Sequence, residues 1–330
     1  MKKGSSASKK TTTGSEVTTT KLVEQGNNAV AAMQPELALK FFQRAHDMDP
    51  HDTNIVDALA DVHLQLGSPD KALELLLMST SSAPEINPFK WLYLAQLQQG
   101  ADAVHTYLKA IEIIERVAHA CSDATELRVL QKQIAKACCG VAELFLTDLC
   151  FDENAEAKCE EFVSRALSVD PGSLDGQQTL ANLRISQCRA VEAAEVIERV
   201  YRGVKSIREK IAARTVIEEM MNTEIPEEAK DVPEPEFCIA TAKYMVECAS
   251  VAPNLAELAM DLVTDLLHDD DENIELWYIM GVAALSCRPP DTDSARYHLE
   301  QAKDMMETLR ENMAHEVRFK CVLVCLFTQS

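Results

Sequence analysis

The sequence predicts an all-α protein built as a solenoid of stacked helix pairs. After Lys21, apolar residues recur at the spacing of amphipathic helices almost everywhere. Comparison of the chain with itself gives a period of 34 residues, and repeats of that length are typical of solenoids. The chain has only 10 glycines and 5% aromatic residues, which argues against a β-rich fold, because strands favour aromatics and their turns need glycine.

The repeat is clearest where the second helix of each pair is expected. A stripe of small and apolar residues ends in a proline, and proline cannot continue a helix. Such a stripe can contact both the first helix of its own pair and the next pair along the chain. The matching positions are Ala38, Phe42, Ala45 and Pro50; Ala72, Leu76, Ser79 and Pro84; Cys159, Val163, Ala166 and Pro171; and Ala193, Ile197 and Val200.

The first helix of each opening pair carries a small residue near its middle. Gly26 stands between Leu22 and Ala29, and Ala60 takes the same place 34 residues later. A small residue there lets the second helix approach closely. Because no pair can bury its apolar face alone, we expect successive pairs to stack on one another.

These positions resemble the tetratricopeptide repeat family over roughly residues 20–310. The resemblance implies a right-handed α-solenoid of about seven tetratricopeptide-like helix pairs with a C-terminal capping helix. The third pair has a short first helix between Trp91 and Ala103, and the fourth has a long one over residues 124–149. Repeats at 19–52, 53–86 and 174–207 keep the family spacing, whereas those near 88–120, 125–172, 237–272 and 274–308 are distorted.

The composition along the chain sets the expected boundaries. Residues 1–20 form a polar, lysine-bearing tail that cannot bury apolar area, so we expect it to be disordered. Its lysines suit either nuclear import or simple solvation. The repeats occupy residues 21–310, and within them the acidic, proline-rich stretch 222–236 predicts a loop. Residues 311–330 are expected to form the capping helix and the C-terminus.

Charge and composition exclude several kinds of partner and site. The formal charge of −21 disfavours direct binding of nucleic acid, because phosphates would be repelled. No apolar run approaches the roughly 20 residues of a membrane span. The 11 scattered cysteines and the absence of a secretory segment at the start predict free thiols in a reducing compartment. The sequence leaves the oligomeric state open.

The sequence shows no catalytic motif, so we predict a protein that is not an enzyme and needs no cofactor. It has no glycine-rich phosphate loop, no nucleophile elbow and no His-Glu-x-x-His motif. Cys321 and Cys325 lie one helical turn apart, but no second pair completes a metal site. The acidic run at 268–272 lacks the ligand spacing of a calcium loop. We therefore predict no metal site.

In the tetratricopeptide repeat family, the first helices line an inner groove that binds partners. By this resemblance the exposed groove positions carry carboxylates, amides and aromatic rings, with no Lys or Arg among them. Such a groove suits the Lys and Arg side chains of an extended basic segment. The groove positions are Asn27, Asn54, Asp57, Asp61, Gln65, Trp91, Gln96, Asp175, Gln178, Asn182, Glu275 and Tyr278.

Two regular opening repeats, an acidic body and the closing stretch 275–302 resemble the dedicated assembly chaperones of large-subunit ribosomal protein four. This resemblance implies that the chain binds the newly made ribosomal protein, shields its basic extension and escorts it from the cytoplasm to the nuclear pre-ribosome. The alternative is a general repeat scaffold that binds an apolar or neutral peptide or helix through Phe89, Trp91 and Tyr278. Binding that does not weaken with salt would distinguish the scaffold.

Overall fold

The computed structural model describes residues 18–221 and 233–327, and in these ranges the side chains other than those of 214–221 and 312–327. This part of the chain contains fourteen α-helices and no strand, which confirms the all-α prediction. They are α1 (Thr19–Ala31), α2 (Pro35–Met48), α3 (Thr53–Gln65), α4 (Pro69–Ser82), α5 (Lys90–Gln96), α6 (Gly100–Ala120), α7 (Ala124–Leu146), α8 (Ala155–Val169), α9 (Leu174–Ser186), α10 (Ala190–Met221), α11 (Pro235–Cys248), α12 (Asn254–Asp269), α13 (Ile274–Ser286) and α14 (Thr292–Phe327).

The helices form seven consecutive pairs, as the repeat predicts. In six pairs, α1–α2, α3–α4, α5–α6, α9–α10, α11–α12 and α13–α14, the two helices pack directly against each other. In the seventh pair the thiol of Cys159 on α8 lies 3.5 Å from the carbonyl oxygen of Ala142 on α7. The chain divides into two compact units, residues 1–133 and 134–330, so that the division falls within α7.

Polar side chains begin several of the first helices. Thr18, Asp52, Ser173 and Asn273 each accept a hydrogen bond from a backbone N–H in the first turn of the helix that follows. These bonds satisfy donors that no carbonyl within the helix can reach. The second helices α2 and α4 begin instead with a proline, whose fixed φ suits the first turn.

The repeat stripe is buried in the first unit, as predicted. Phe42 is 1% exposed and Leu76 is 2% exposed. A Cβ built on Gly26 would lie 2.5 Å from the Phe42 ring, so only glycine allows this approach of α1 and α2. In the second unit Gly281 has the same role, since a Cβ there would lie 2.6 Å from Leu299.

The distorted repeats differ in helix length. α5 has only 7 residues, which confirms the shortening before Ala103, and α7 has 23 residues. α14 runs for 36 residues to Phe327, so the expected capping segment from 311 continues this helix rather than starting a new one. Residues 1–17 of the predicted tail and 222–232 of the predicted loop lie outside the described residues.

The main core of the second unit is formed by the five helices α9 to α13. Val200, Met245, Leu262 and Ile279 are among the side chains that fill it.

The nine cysteines whose side chains are described are free thiols. In the described part of the chain, every helix is too short or too polar to cross a membrane.

Candidate partner-binding site

Three of the expected groove residues meet in one pocket of the first unit, here called the Asp61 pocket. Asn54, Asp57 and Asp61 lie on successive turns of α3 and form one wall. Phe89 and Tyr93, from α5 and the residue before it, form the opposite wall of a space of about 380 Å³. The pocket therefore combines carboxylates with two aromatic rings, and the buried Lys90 also lines it.

Asp57 is already engaged by neighbouring side chains. Its carboxylate accepts a hydrogen bond from the hydroxyl of Ser79 and another from the amide of Asn87, at 3.0 Å. The Ser79 hydroxyl also accepts a bond from the buried Lys90 ammonium at 2.9 Å. Charge reversal at Asp57 would place a second cation beside Lys90, so it would disturb the fold as well as any binding. Asp57 helps to build the pocket.

Asp61 is the carboxylate in the pocket that remains open to a ligand. Its one described hydrogen bond comes from the Gln65 amide, at 3.1 Å and one helical turn away. Burial raises the pKa of Asp61, and the bond from Gln65 only partly opposes that effect. Burial, followed by repulsion from Asp61, raises the pKa of the Tyr93 phenol. A cation entering the pocket would stabilise the Asp61 charge that burial disfavours.

The other expected residues of the first unit lie outside this pocket. Asn27 on α1 and Gln96 on α5 are exposed. Trp91 is half-buried, and its indole N–H donates to the carbonyl oxygen of Pro84 at 2.9 Å. Its ring packs against the cluster around Leu76, so Trp91 closes the second repeat against the third and offers little surface to a ligand.

In the second unit, Gln178 joins two first helices. Its amide donates to the carbonyl oxygen of Phe237 at 2.8 Å and to the hydroxyl of Thr241 at 2.6 Å. These bonds hold α9 against α11, so the side chain is used within the fold. Asn182, one turn further along α9, is half-buried, and Tyr278 on α13 is 57% exposed.

A second acidic place, here called the Glu143–Asp175 pair, lies between α7 and α9. Glu143 and Asp175 are both exposed, although the protein around Glu143 partly desolvates its carboxylate. This desolvation, followed by repulsion from Asp175, raises the pKa of Glu143, and Lys136 only partly opposes the rise. A cation near Glu143 would therefore stabilise its charged form, as at Asp61.

The sequence analysis missed Glu143 because α7 is a distorted first helix that does not follow the 34-residue register. One signal could have found it: Glu143 lies on the predicted first helix of the fourth repeat, and Asp175 lies near the start of the next first helix. None of the expected groove positions is a Lys or Arg, but the ammonium of Lys243 lies 2.5 Å from the carboxylate of Glu275, which is one of those positions. Lys243 therefore neutralises part of the negative charge at Glu275.

Comparisons with known proteins agree with this architecture. Residues 29–88 match the tetratricopeptide repeat family. A relative from Schizosaccharomyces pombe named "Probable assembly chaperone of rpl4" is 28% identical over 250 residues, which cover 74% of this chain and 67% of the relative. One of the same name from Emericella nidulans is 26% identical over 275 residues, covering 79% and 63%. The chain thus spans about two thirds of the length of these relatives.

Solved structures show the same fold. The structure described as "Assembly Chaperone of RpL4 (Acl4) (Residues 1-338)" has a TM-score of 0.64 at 21% identity and covers 88% of this chain and 100% of that one. A tetratricopeptide repeat protein from Parabacteroides merdae has a TM-score of 0.50 at 13% identity, covering 89% and 96%. The chain is therefore a helical solenoid that carries tetratricopeptide repeats, and it resembles curated assembly chaperones of rpl4 over about three quarters of its length.

Proposed function

We propose that this protein is a non-enzymatic assembly chaperone that binds newly made large-subunit ribosomal protein four. The names of its two curated relatives support the client, and the acidic sites support the mode of binding. A basic extension of the client would place Lys or Arg side chains in the Asp61 pocket and against the Glu143–Asp175 pair. The general repeat scaffold remains the alternative.

The observation that carries this proposal is the state of Asp61 in its pocket. Burial raises the pKa of this carboxyl, so its ionised form is held at a cost in the free protein. An incoming ammonium or guanidinium removes that cost. The rings of Phe89 and Tyr93 line the same pocket and would contact the aliphatic stem of that side chain. Lys and Arg side chains meet both needs, because each has a cationic group at the end of an aliphatic stem.

Two acidic sites on one chain suit a long client better than a short one. The Asp61 pocket belongs to the first unit and the Glu143–Asp175 pair to the second. Once one stretch of a disordered client is bound, the next stretch binds as an intramolecular event, so weak individual contacts add up to a useful affinity.

Charge also explains protection and release. A free Arg- and Lys-rich segment binds RNA without specificity, and the acidic chaperone would occupy its cations. Ribosomal RNA at the pre-ribosome carries a much denser negative charge and would displace the chaperone. The proposed role places the protein in both the cytoplasm and the nucleus.

The direct test is a titration with the recombinant basic extension of ribosomal protein four at about 50 and 300 mM salt, a range over which screening changes strongly. We expect binding at the lower salt that weakens by about tenfold or more at the higher one. Absence of binding at both concentrations would exclude this client. Tight binding with no salt dependence would favour the scaffold and its aromatic contacts.

Two conservative variants and their matched controls locate the contact. Asp61→Asn removes one charge from the first helix α3, and Asp47→Asn removes one from the second helix α2. Each aspartate accepts a bond from a Gln amide four residues away, at 3.1 Å and 3.2 Å, so the local losses are alike. We expect Asp61→Asn to weaken binding by about fivefold, which is roughly 1 kcal/mol, and Asp47→Asn to leave it unchanged.

In the second unit, Glu143→Gln is compared with Glu195→Gln, a change at an exposed position of the second helix α10. Weaker binding with Glu143→Gln alone supports the second site. Equal effects from both variants would show that only net charge matters, and the proposed contacts would then be wrong.

A further inference from the structure

A groove of opposite character lies on the second helices of the first unit, here called the α2–α4 groove. It has a volume of about 960 Å³ and lies between α2 and α4. Leu37, Phe41 and Leu75 line its sides, and Leu59 and His63 of α3 form its floor. Leu37 is 40% exposed, so the apolar lining is open to a ligand.

The charge of this groove is opposite to that of the chain. Lys40, Arg44 and Lys71 stand along it, and Glu74 is the one carboxylate among the side chains that line it. These four groups carry a formal charge of +2, in a protein whose net charge is −21. Neither Lys40, Arg44 nor Lys71 has a carboxylate within ion-pairing distance among those the structure describes, so each is available to an anionic partner.

The floor of the groove holds a polar atom without a partner. The side chain of His63 is 8% exposed, yet its Nδ1 has no hydrogen-bond partner among the described residues. The buried Nδ1 of His46, which also lines the groove, is in the same state. A buried polar group left unpaired is costly, and these nitrogens could bond to a peptide in the groove only after the imidazole rings turn toward it.

From these three observations we infer that the α2–α4 groove binds a peptide segment of a partner protein whose apolar anchor residues are flanked by Asp or Glu. The anchors would pack on Phe41 and Leu75, while the flanking carboxylates meet Lys40 and Arg44. Polar groups of the peptide would bond to the imidazole nitrogens once the rings turn toward the groove. The segment has the opposite charge to the basic client proposed above, so this is a second partner at a separate surface.

The test is selection from a random displayed library of 12-residue peptides against the full chain. We expect enriched sequences that combine Leu, Ile or Phe with Asp or Glu, at least about tenfold above selection against the variant Lys40→Glu/Arg44→Glu. Lys40 and Arg44 are both exposed, so the double variant should fold. The matched control is Arg296→Glu/Lys303→Glu, which makes the same change in net charge at exposed positions of α14.

A synthetic copy of the best sequence then gives the affinity by fluorescence anisotropy. We expect Lys40→Glu/Arg44→Glu to weaken it by about tenfold and the α14 control to weaken it by less than about twofold. An apolar variant, Leu37→Ser, should weaken it as well, whereas a peptide with its Asp and Glu changed to Lys should not bind.

Three results would overturn the inference. They are a selection that enriches no sequence over the double variant, enriched sequences that are basic, or displacement of the acidic peptide by the basic client extension. Displacement by a short RNA at physiological salt would assign the groove to phosphates instead.

Discussion

The ammonium of Lys90 lies 2.9 Å from the hydroxyl oxygen of Ser79. Ser79 occupies the repeat position that Ala45 has in the preceding repeat. The ammonium also donates to the carbonyl oxygens of Ser79 and Ala83, at 3.2 and 2.6 Å. Lys90 is 1% exposed, and burial lowers its pKa while Asp57 opposes that effect. The end of α4 is thus held to α5 by a buried cation, which also shapes the Asp61 pocket.

Removal of this cation should destabilise the first unit. Lys90→Ala removes three hydrogen bonds and leaves a cavity, so we expect a loss of about 3 kcal/mol in the free energy of unfolding measured in urea. Ser79→Ala restores the residue type of the first repeat and should cost about 1 kcal/mol. Lys71→Ala, at an exposed lysine of α4, is the control, and an equal loss there would show that Lys90 has no special role.

The contact between Gly26 and Phe42 can be tested by exchanging the residues of two repeats. A Cβ on Gly26 would lie 2.5 Å from Phe42, so Gly26→Ala should cost about 2 kcal/mol in unfolding free energy through overpacking. Adding Phe42→Leu reproduces the Ala60–Leu76 pair of the second repeat and should restore about half of that loss. Gly172→Ala meets only an ordinary contact at 3.6 Å and is the control. Additive losses in the double variant would contradict the steric account.

Ion pairs hold α10 to α12, so their removal should allow local unfolding of α10. Lys205 lies 2.8 Å from Asp261 and 2.8 Å from Asp265. Burial lowers the pKa of Lys205, but the hydrogen bonds that it donates to both aspartates outweigh this effect, and the net pKa is raised. Lys205→Met should cost about 1 kcal/mol and speed amide hydrogen exchange along the second half of α10.

The matched control for this change is Arg202→Met, three residues earlier on α10. The Arg202 side chain is 71% exposed, and among the described residues it pairs only with Glu198 on its own helix, so its loss should leave exchange in α10 nearly unchanged. Similar exchange in both variants would mean that the pairs with α12 do not hold the helix.

Binding of the basic client should depend on pH through Asp61. In the free protein burial raises the pKa of this carboxyl, and a bound cation would lower it again, so binding releases protons. Affinity should therefore increase as the pH rises through the raised pKa of the free protein. It should fall when the pH is brought from about 7 toward the ordinary carboxyl range near 4.

Calorimetric titration in two buffers of different ionisation enthalpy measures this proton release. Asp61→Asn should flatten the pH dependence, whereas Asp47→Asn should retain it. An unchanged slope in Asp61→Asn would show that other carboxyls bind the client.

The cysteines should fall into two classes of reactivity. Burial raises the pKa of Cys139 to about 12 and the pKa of Cys248 to about 11, and both thiols are fully buried. Cys150 and Cys188 are exposed. We expect maleimide to label the exposed pair in the native state within minutes, and Cys139 and Cys248 only after unfolding, as read by peptide mass spectrometry. Native labelling of Cys139 would show that α7 opens readily.

Much of the fold can be read from the sequence because repeat positions report burial directly. The stripe at Ala38, Phe42 and Ala45 and its copy 34 residues later are buried as predicted. The short α5 and the long α7 also follow from where the register breaks. These features depend on local periodicity, and periodicity is a property of the sequence alone.

The roles of single groove residues depend instead on neighbours that are distant in the sequence. From the sequence, Asp57 and Asp61 on the same helix are equally good candidates for contact with a partner. In the structure, Ser79 and Asn87 donate hydrogen bonds to Asp57 and leave Asp61 open. Gln178 is used to join α11 to α9 across 63 residues of chain. The sequence by itself determined a stack of helix pairs and its acidic character. Only the tertiary structure decided which carboxylates are spent inside the fold and which can receive a cation, because desolvation and pairing arise from packing.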